Sequence, residues 1–397
     1  IASPVFRSVN FTRQQLVEIA TLGLGVGTFL LVSTYLRDEG RLRATLRWIN
    51  WSGLALILWS GVQFAVWQWR GAYPPWLEDI QGLFSITRFY PSRVTAFAME
   101  PSWLAHQLNM LYLPLWLAAS VRRVSVHGWR IARLTMENGL LVGGVIVLWL
   151  SLSRVGLLAF LLMQALVFVI LNAWFVGWLE RRILARRGGP GLSAQRTKRL
   201  LRLGLWVALI VFYLALLLGS GFLLTKVDYR MARLFDLSTL TQDGFLEYTA
   251  QVQIAERVVY WQTGWGVFND FPWLGVGLGN SGYFFQRYMP GFGYGLTEVN
   301  QILYHENSLP NTKALWVRLL AETGLVGLAF FAAWLFLQWA NGAELGRSTA
   351  PLKRMLGLAG QLVVLGLLVE GFSVDSFALP YFWFTLGLSA AAWRIST

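Results

Sequence analysis

Apolar residues in this chain do not alternate with polar ones. They run in blocks close to the roughly 20 residues that cross a bilayer core as a helix. The blocks fall at about 16–36, 49–67, 101–121, 134–153, 155–179, 203–224, 319–340, 355–374 and 377–393. They predict nine transmembrane helices in an all-α, polytopic membrane bundle. Two polar stretches, 68–100 and 225–318, are too long for connectors, and loops of such length are usually functional. The chain then divides into N-terminal membrane helices (1–224), one large loop (225–318) and C-terminal membrane helices (319–397). The large loop opens with Tyr229-Arg230-Met231-Ala232-Arg233 and carries a helix-like stretch from Glu247 to Phe268. In that stretch Val252, Ala255, Val259 and Trp261 offer an apolar stripe for the membrane surface.

Composition agrees with a membrane protein: 56% of the 397 residues are hydrophobic and 13% are charged, against roughly a quarter charged in soluble domains. Cysteine is absent, which excludes disulfides, thiol nucleophiles and thiolate metal sites. Three histidines (His106, His127, His305) leave little material for a metal centre. Arginine, carboxylates and one histidine must then carry any chemistry.

The net charge of +13 acquires meaning from its placement. Of 33 Lys and Arg, 20 lie in the links that follow spans one, three, five, seven and nine, together with five of the 20 acids; 13 cations and 15 acids remain elsewhere. Cations concentrate in cytoplasmic loops, so the basic links and the C-terminus are expected inside, and both long polar stretches outside. The excess cations report orientation, not a nucleic-acid partner. Nine helices with an inner C-terminus put Ile1 on the outer side. An N-terminal extension holding an odd number of helices is therefore expected, and a full-length gene without one would refute it. The link Glu180–Arg202, with Gly188-Gly189-Pro190-Gly191 in its middle, is expected to be a flexible cytoplasmic loop. Most of the 21 Trp stand near span ends, as interface anchors do.

Several residues stand out chemically. Arg154 sits in the short connection between two apolar spans; a charge at that depth points to function or a specific partner, while snorkelling to the headgroups is the other reading. Arg318 and Glu322 stand four apart and either pair with each other or act on a ligand. The run Gly275-Val276-Gly277-Leu278-Gly279-Asn280 lacks the strand and helix of a dinucleotide fold. It offers either a turn that brings backbone amides to a phosphate or a plain chain reversal.

Four stretches in order resemble the O-antigen ligase and O-antigen polymerase superfamily of bacterial membrane glycosyltransferases. They are Arg93-Val-Thr-Ala-Phe-Ala-Met-Glu100-Pro101-Ser102, then Leu152-Ser153-Arg154-Val-Gly156, then Glu256-Arg257-Val-Val-Tyr-Trp261 leading into the glycine run, and finally His305 with Leu319-Leu-Ala-Glu322-Thr-Gly324. The resemblance covers roughly residues 85–340. It implies a multi-helix GT-C-type enzyme of the bacterial cytoplasmic (inner) membrane. Such an enzyme takes a glycan from undecaprenyl pyrophosphate at the extracytoplasmic face and passes it to a glycan or glycolipid acceptor, without a nucleotide sugar, metal or other cofactor. Its catalytic residues carry over to Arg154, Arg257 and His305. Donor or glycan contacts fall to Arg154, Arg257, Arg93, Glu100, Lys313, Arg318 and Glu322. The Glu100-Pro101-Ser102 and Pro310-Asn311-Thr312-Lys313 stretches look closer to the polymerase branch than to ligases.

The residue chemistry suits that reaction. Arginine binds phosphate oxygens in pairs and stays charged, so Arg154 and Arg257 would stabilise the departing diphosphate electrostatically. Histidine, whose ordinary pKa is about 6.5, is the natural base for an acceptor hydroxyl, with Glu306 as the fallback. Two rival classes remain. A transporter would use Glu18, Gln361 and Glu370 along a path, and a non-catalytic membrane subunit would use the apolar surface for assembly.

Overall fold

The computed structural model describes residues 10–85, 89–132, 134–186, 192–227, 254–305 and 309–395. The described structure is helical apart from one two-stranded hairpin. Five helices are long and apolar enough to cross a membrane, and Met136–Ser151 and Arg202–Ala215 are shorter apolar stretches.

The order begins with α1 (Phe11–Tyr35), α2 (Glu39–Arg70), α3 (Pro75–Gly82) and α4 (Pro101–Gln107). A π-helical turn, Leu108–Tyr112, joins α4 to α5 (Leu113–Arg122), so the expected span at 101–121 is one helix with an underwound middle. The strands β1 (Arg130–Ile131) and β2 (Leu134–Thr135) pair antiparallel and lead into α6 (Met136–Ser151). Next come α7 (Arg154–Arg186), α8 (Leu192–Val227) and α9 (Ala255–Asp270). Short helical turns include α10 (Phe285–Tyr288) and α11 (Thr297–Tyr304). The last helices are α12 (Leu315–Leu345), α13 (Pro351–Glu370) and α14 (Pro380–Arg394).

Local chemistry sets several of these ends. The Asn10 side chain accepts from Thr12 N and Arg13 N at the start of α1, and Asp38 accepts from Arg41 N at the start of α2. Proline opens α3, α4, α13 and α14, where its missing N–H costs nothing. In the segment 180–202, where a loop is expected, the two flanks are helical, with α7 running on to Arg186 and α8 beginning at Leu192, while the Gly188–Gly191 middle lies outside the described residues. Charged residues there sustain helix because Arg, Lys, Leu and Ala are good helix formers. The helix expected at 247–268 is described as α9; residues 247–253 and the Tyr229–Arg233 stretch lie outside the described residues.

Two compact units emerge: residues 1–163, 260–290 and 301–397 form one, and 164–259 with 291–300 form the other. In the first, α12, α13 and α14 bury Leu315, Leu319, Val363, Leu367, Phe382 and Trp383 around Met110 of the π-turn. Helix α13 is the most enclosed, and Gly342 and Gly357 let α12 and α13 meet closely, since a Cβ on Gly342 would lie 2.7 Å from Gly357 O. In the second, Tyr213 of α8 stacks on Phe168 of α7 with ring centroids 4.5 Å apart and bonds Asn172 at 2.9 Å.

Candidate active site

Helices α6 and α7 are joined by two residues, Leu152 and Ser153, and the join is built for a sharp reversal. Leu152 takes a left-handed backbone (φ 50°), Ser151 Oγ donates to Leu148 O at 2.7 Å, and Ser153 Oγ accepts from Gly156 N at 3.3 Å as the N-cap of α7. Arg154 is therefore the first residue of a long apolar helix and is half-buried. The positive end of a helix dipole lies at that point, which favours an anion there.

The Arg93 segment docks on the same turn. Arg93 Nε donates to Ser151 O at 2.9 Å and Val94 N to Leu150 O at 3.2 Å, so the strand-like segment satisfies carbonyls that the end of α6 would leave open. From the other side Gln63 of α2 clamps the segment: its Oε1 accepts from Thr95 N and Ala96 N at 3.0 and 3.1 Å, and its Nε2 donates to Ala96 O at 3.0 Å. Glu100, exposed, stands at the N-terminal end of α4 and accepts from Ser102 Oγ at 3.1 Å. Nearby, the Tyr90 phenol is pushed up, first by burial and then by the Glu100 carboxylate, with the Arg93 guanidinium opposing. The structure thus brings Arg93, Arg154 and the segment leading to Glu100 together at one end of α6.

A buried polar network ties this end to the helices behind it. Asn109 Nδ2 donates to Gly156 O, in the first turn of α7, at 2.8 Å and to Glu370 Oε1 at 2.6 Å; Glu370 Oε2 lies 2.7 Å from His106 Nδ1. Glu370 and Asn109 are fully buried and His106 is 2% exposed. Gly156 must be glycine here, because a Cβ would lie 2.6 Å from Ala105 Cβ. The sequence reading missed His106 and Asn109; their one signal was a position within two turns of Glu100-Pro101-Ser102.

Arg318 and Glu322 form a second, closed cluster. Arg318 Nε lies 3.0 Å from Glu322 Oε2, a terminal nitrogen lies 3.0 Å from Glu18 Oε1, and Nη1 donates to Asp375 O. Glu322 also accepts from Gly279 N at 2.7 Å and Ser281 Oγ at 2.8 Å. The glycine run is thereby a chain reversal docked onto α12: Gly277 N donates to Glu322 O at 2.8 Å, and Leu325 N to Pro272 O at 2.8 Å. The docking breaks α12 at Gly324 (φ 63°, ψ −164°), where a Cβ would lie 2.3 Å from the Trp273 carbonyl. Both Glu18 and Glu370, which a transport path would require, are occupied in these networks.

Lys313 has φ 49° just before α12, its N–H held by Asn311 Oδ1 at 3.0 Å. His305 is exposed at the end of α11, and Glu306 lies outside the described residues. Arg257 is half-buried in the first turn of α9 and belongs to the second unit, whereas Arg154 and His305 belong to the first. Among the described residues no three His, Asp or Glu side chains gather into a set able to hold a metal. Among the described residues six non-glycine residues have positive φ, and four of them (Ser92, Ala96, Leu152, Lys313) are, or lie within three residues of, Arg93, Arg154 and Lys313. Strain of this kind gathers at functional sites.

None of the curated proteins matches the chain. Residues 139–332 match the family model described as O-Antigen ligase, a range that takes in α6, Arg154, Arg257, His305 and Glu322. The chain is thus a helical membrane protein whose residues 139–332, just under half of its length, are similar to the O-antigen ligase family.

Proposed function

We propose that the protein transfers a glycan from undecaprenyl pyrophosphate to an acceptor glycan or glycolipid at the extracytoplasmic face of the membrane, with a polymerase favoured over a ligase. The acceptor hydroxyl attacks the anomeric carbon and loses its proton to His305, while the bond from that carbon to the diphosphate oxygen breaks. A single displacement of this kind inverts the anomeric centre. The leaving diphosphate gains negative charge, which Arg154 and Arg257 offset with paired N–H donors. Arg93, Glu100 and Lys313 line the donor or glycan path, and no metal takes part.

The observation that carries this reading is Arg154: it lies within the family match, at the positive end of a long apolar helix, on a strained turn that Arg93 and the Asn109–Glu370 network brace. Arg318 and Glu322, matched to carboxylates and amides within the protein, serve the reading best as the frame that holds the glycine run against α12. The test is Arg257→Ala: glycan transfer is lost while the protein stays inserted and folded, and full activity in that variant would remove the core of the proposal. A deletion strain separates the branches. Single-repeat glycan signals a polymerase, and accumulated lipid-linked polymer signals a ligase.

A further inference from the structure

Two of the six strained non-glycine residues, Arg123 (φ 55°) and Ala132 (φ 54°), are far from the Arg154 turn, and both line one cavity of about 580 Å³. The cavity lies at the N-terminal end of α6, which is opened by Thr135 and Asn138; the Arg154 turn lies at its other end, ~24 Å away for 16 residues at 1.5 Å each. Its polar lining is Arg123, Arg130, Ser120, Thr135 and Asn138. Among the described residues the guanidinium groups of Arg123 and Arg130 have no hydrogen-bond or ion-pair partner, whereas Arg41 and Arg43 of α2 pair with Asp38 and Glu39.

The chain segment between Arg123 and Arg130 is held in place. Buried Glu137 accepts from Val126 N at 3.0 Å and from Asn50 Nδ2 at 3.2 Å, and Arg47 Nε donates to Val126 O at 2.7 Å. These bonds hold the 124–127 segment against α2 and α6. A second hollow of about 750 Å³ shares Leu134, Thr135 and Asn138 with the first. It is an apolar groove between α2 and α6, formed by Trp51, Leu54 and Ile57 on one side and Met136, Gly139 and Val142 on the other. Beside it the hairpin exposes Trp129, Ile131 and Leu134, each more than half exposed, as an interfacial anchor would.

We infer that this paired hollow is a binding site for an anionic glycerophospholipid. Arg123 and Arg130 take the phosphate, Thr135 and Asn138 border it, and an acyl chain runs down the groove between α2 and α6. A basic pocket continuous with an apolar groove at a membrane interface fits such a lipid's two halves. The site is separate from the proposed donor site because it lies at the opposite end of α6.

The test uses the full chain in nanodiscs of phosphatidylcholine doped with phosphatidylglycerol, with retained lipid counted by native mass spectrometry and inorganic phosphate as a competitor. One phosphatidylglycerol is expected to bind in preference to phosphatidylcholine. Arg123→Gln with Arg130→Gln should weaken that preference about 30-fold, at roughly fivefold per arginine. Gly139→Leu should also displace the lipid by filling the groove; a Cβ there meets nothing within 4 Å, so the helix accepts it. Equal retention in the double arginine variant overturns the inference. Competition by inorganic phosphate with no effect of Gly139→Leu assigns the cavity to free phosphate and overturns the lipid. Because the readout is binding alone, its outcome is independent of whether the protein transfers glycans.

Discussion

Arg318 and Arg154 both stand in the first turn of a long apolar helix and both fall in stretches that resemble the same family. Arg318 is 5% exposed and held between Glu322 and Glu18, with a further bond to Asp375 O. Arg154 is half-buried directly after a two-residue turn that Ser151, Ser153 and the Arg93 segment hold in place. The first arrangement matches a cation to carboxylates inside the protein and fixes α1, α12 and the glycine run to one another. The second presents a guanidinium at the positive end of a helix, where an incoming anion is favoured. Similar chemistry at similar positions thus serves architecture in one place and, on our reading, catalysis in the other.

The largest effect expected from this contrast is on stability. Arg318→Ala leaves buried Glu322 and half-buried Glu18 without their cation and should cost about 3–5 kcal/mol, seen as a large drop in the melting temperature of purified protein. Arg154→Ala should melt close to wild type yet transfer glycan about 10²–10³-fold more slowly. If Arg154→Ala melts as Arg318→Ala does, the distinction between the two arginines fails. Glu370→Ala sits between them: it orphans the His106 and Asn109 side chains, at about 1–3 kcal/mol for a buried polar group, and loosens the start of α7. Glu370→Gln keeps an acceptor for Asn109 and should recover most of both stability and transfer; a Gln variant as damaged as Ala would deny that hydrogen-bond geometry is what matters. The smallest effect belongs to Arg43→Ala, which breaks an exposed pair with Glu39 and should cost about 0.3–0.5 kcal/mol.

How legible each region was in the sequence follows from the range of its contacts. The Arg154 turn was legible because Ser153, Arg154 and Gly156 act on one another within four residues. The Arg318–Glu322 pair was also legible, since residues four apart share a helix face. Glu18 was not, because about 300 residues separate it from Arg318 and nothing local marks the pair. The His106–Asn109–Glu370 network was hidden for the same reason, with 264 and 261 residues between its partners. In the segment 180–202 only the flanks depart from the expected loop, because their Arg, Lys, Leu and Ala favour helix strongly enough to carry α7 to Arg186 and to start α8 at Leu192.

The sequence by itself determined the membrane class, the helical content and the stretches that carry the family resemblance, because apolar run length, the absence of cysteine and short motifs are properties of consecutive residues. Only the tertiary structure decided which charges are matched inside the protein and which face an opening. It also showed that the glycine run docks on a break in α12, and that two arginines at the far end of α6 border an apolar groove. Those outcomes depend on burial and on partners brought together across hundreds of residues, which no local pattern encodes.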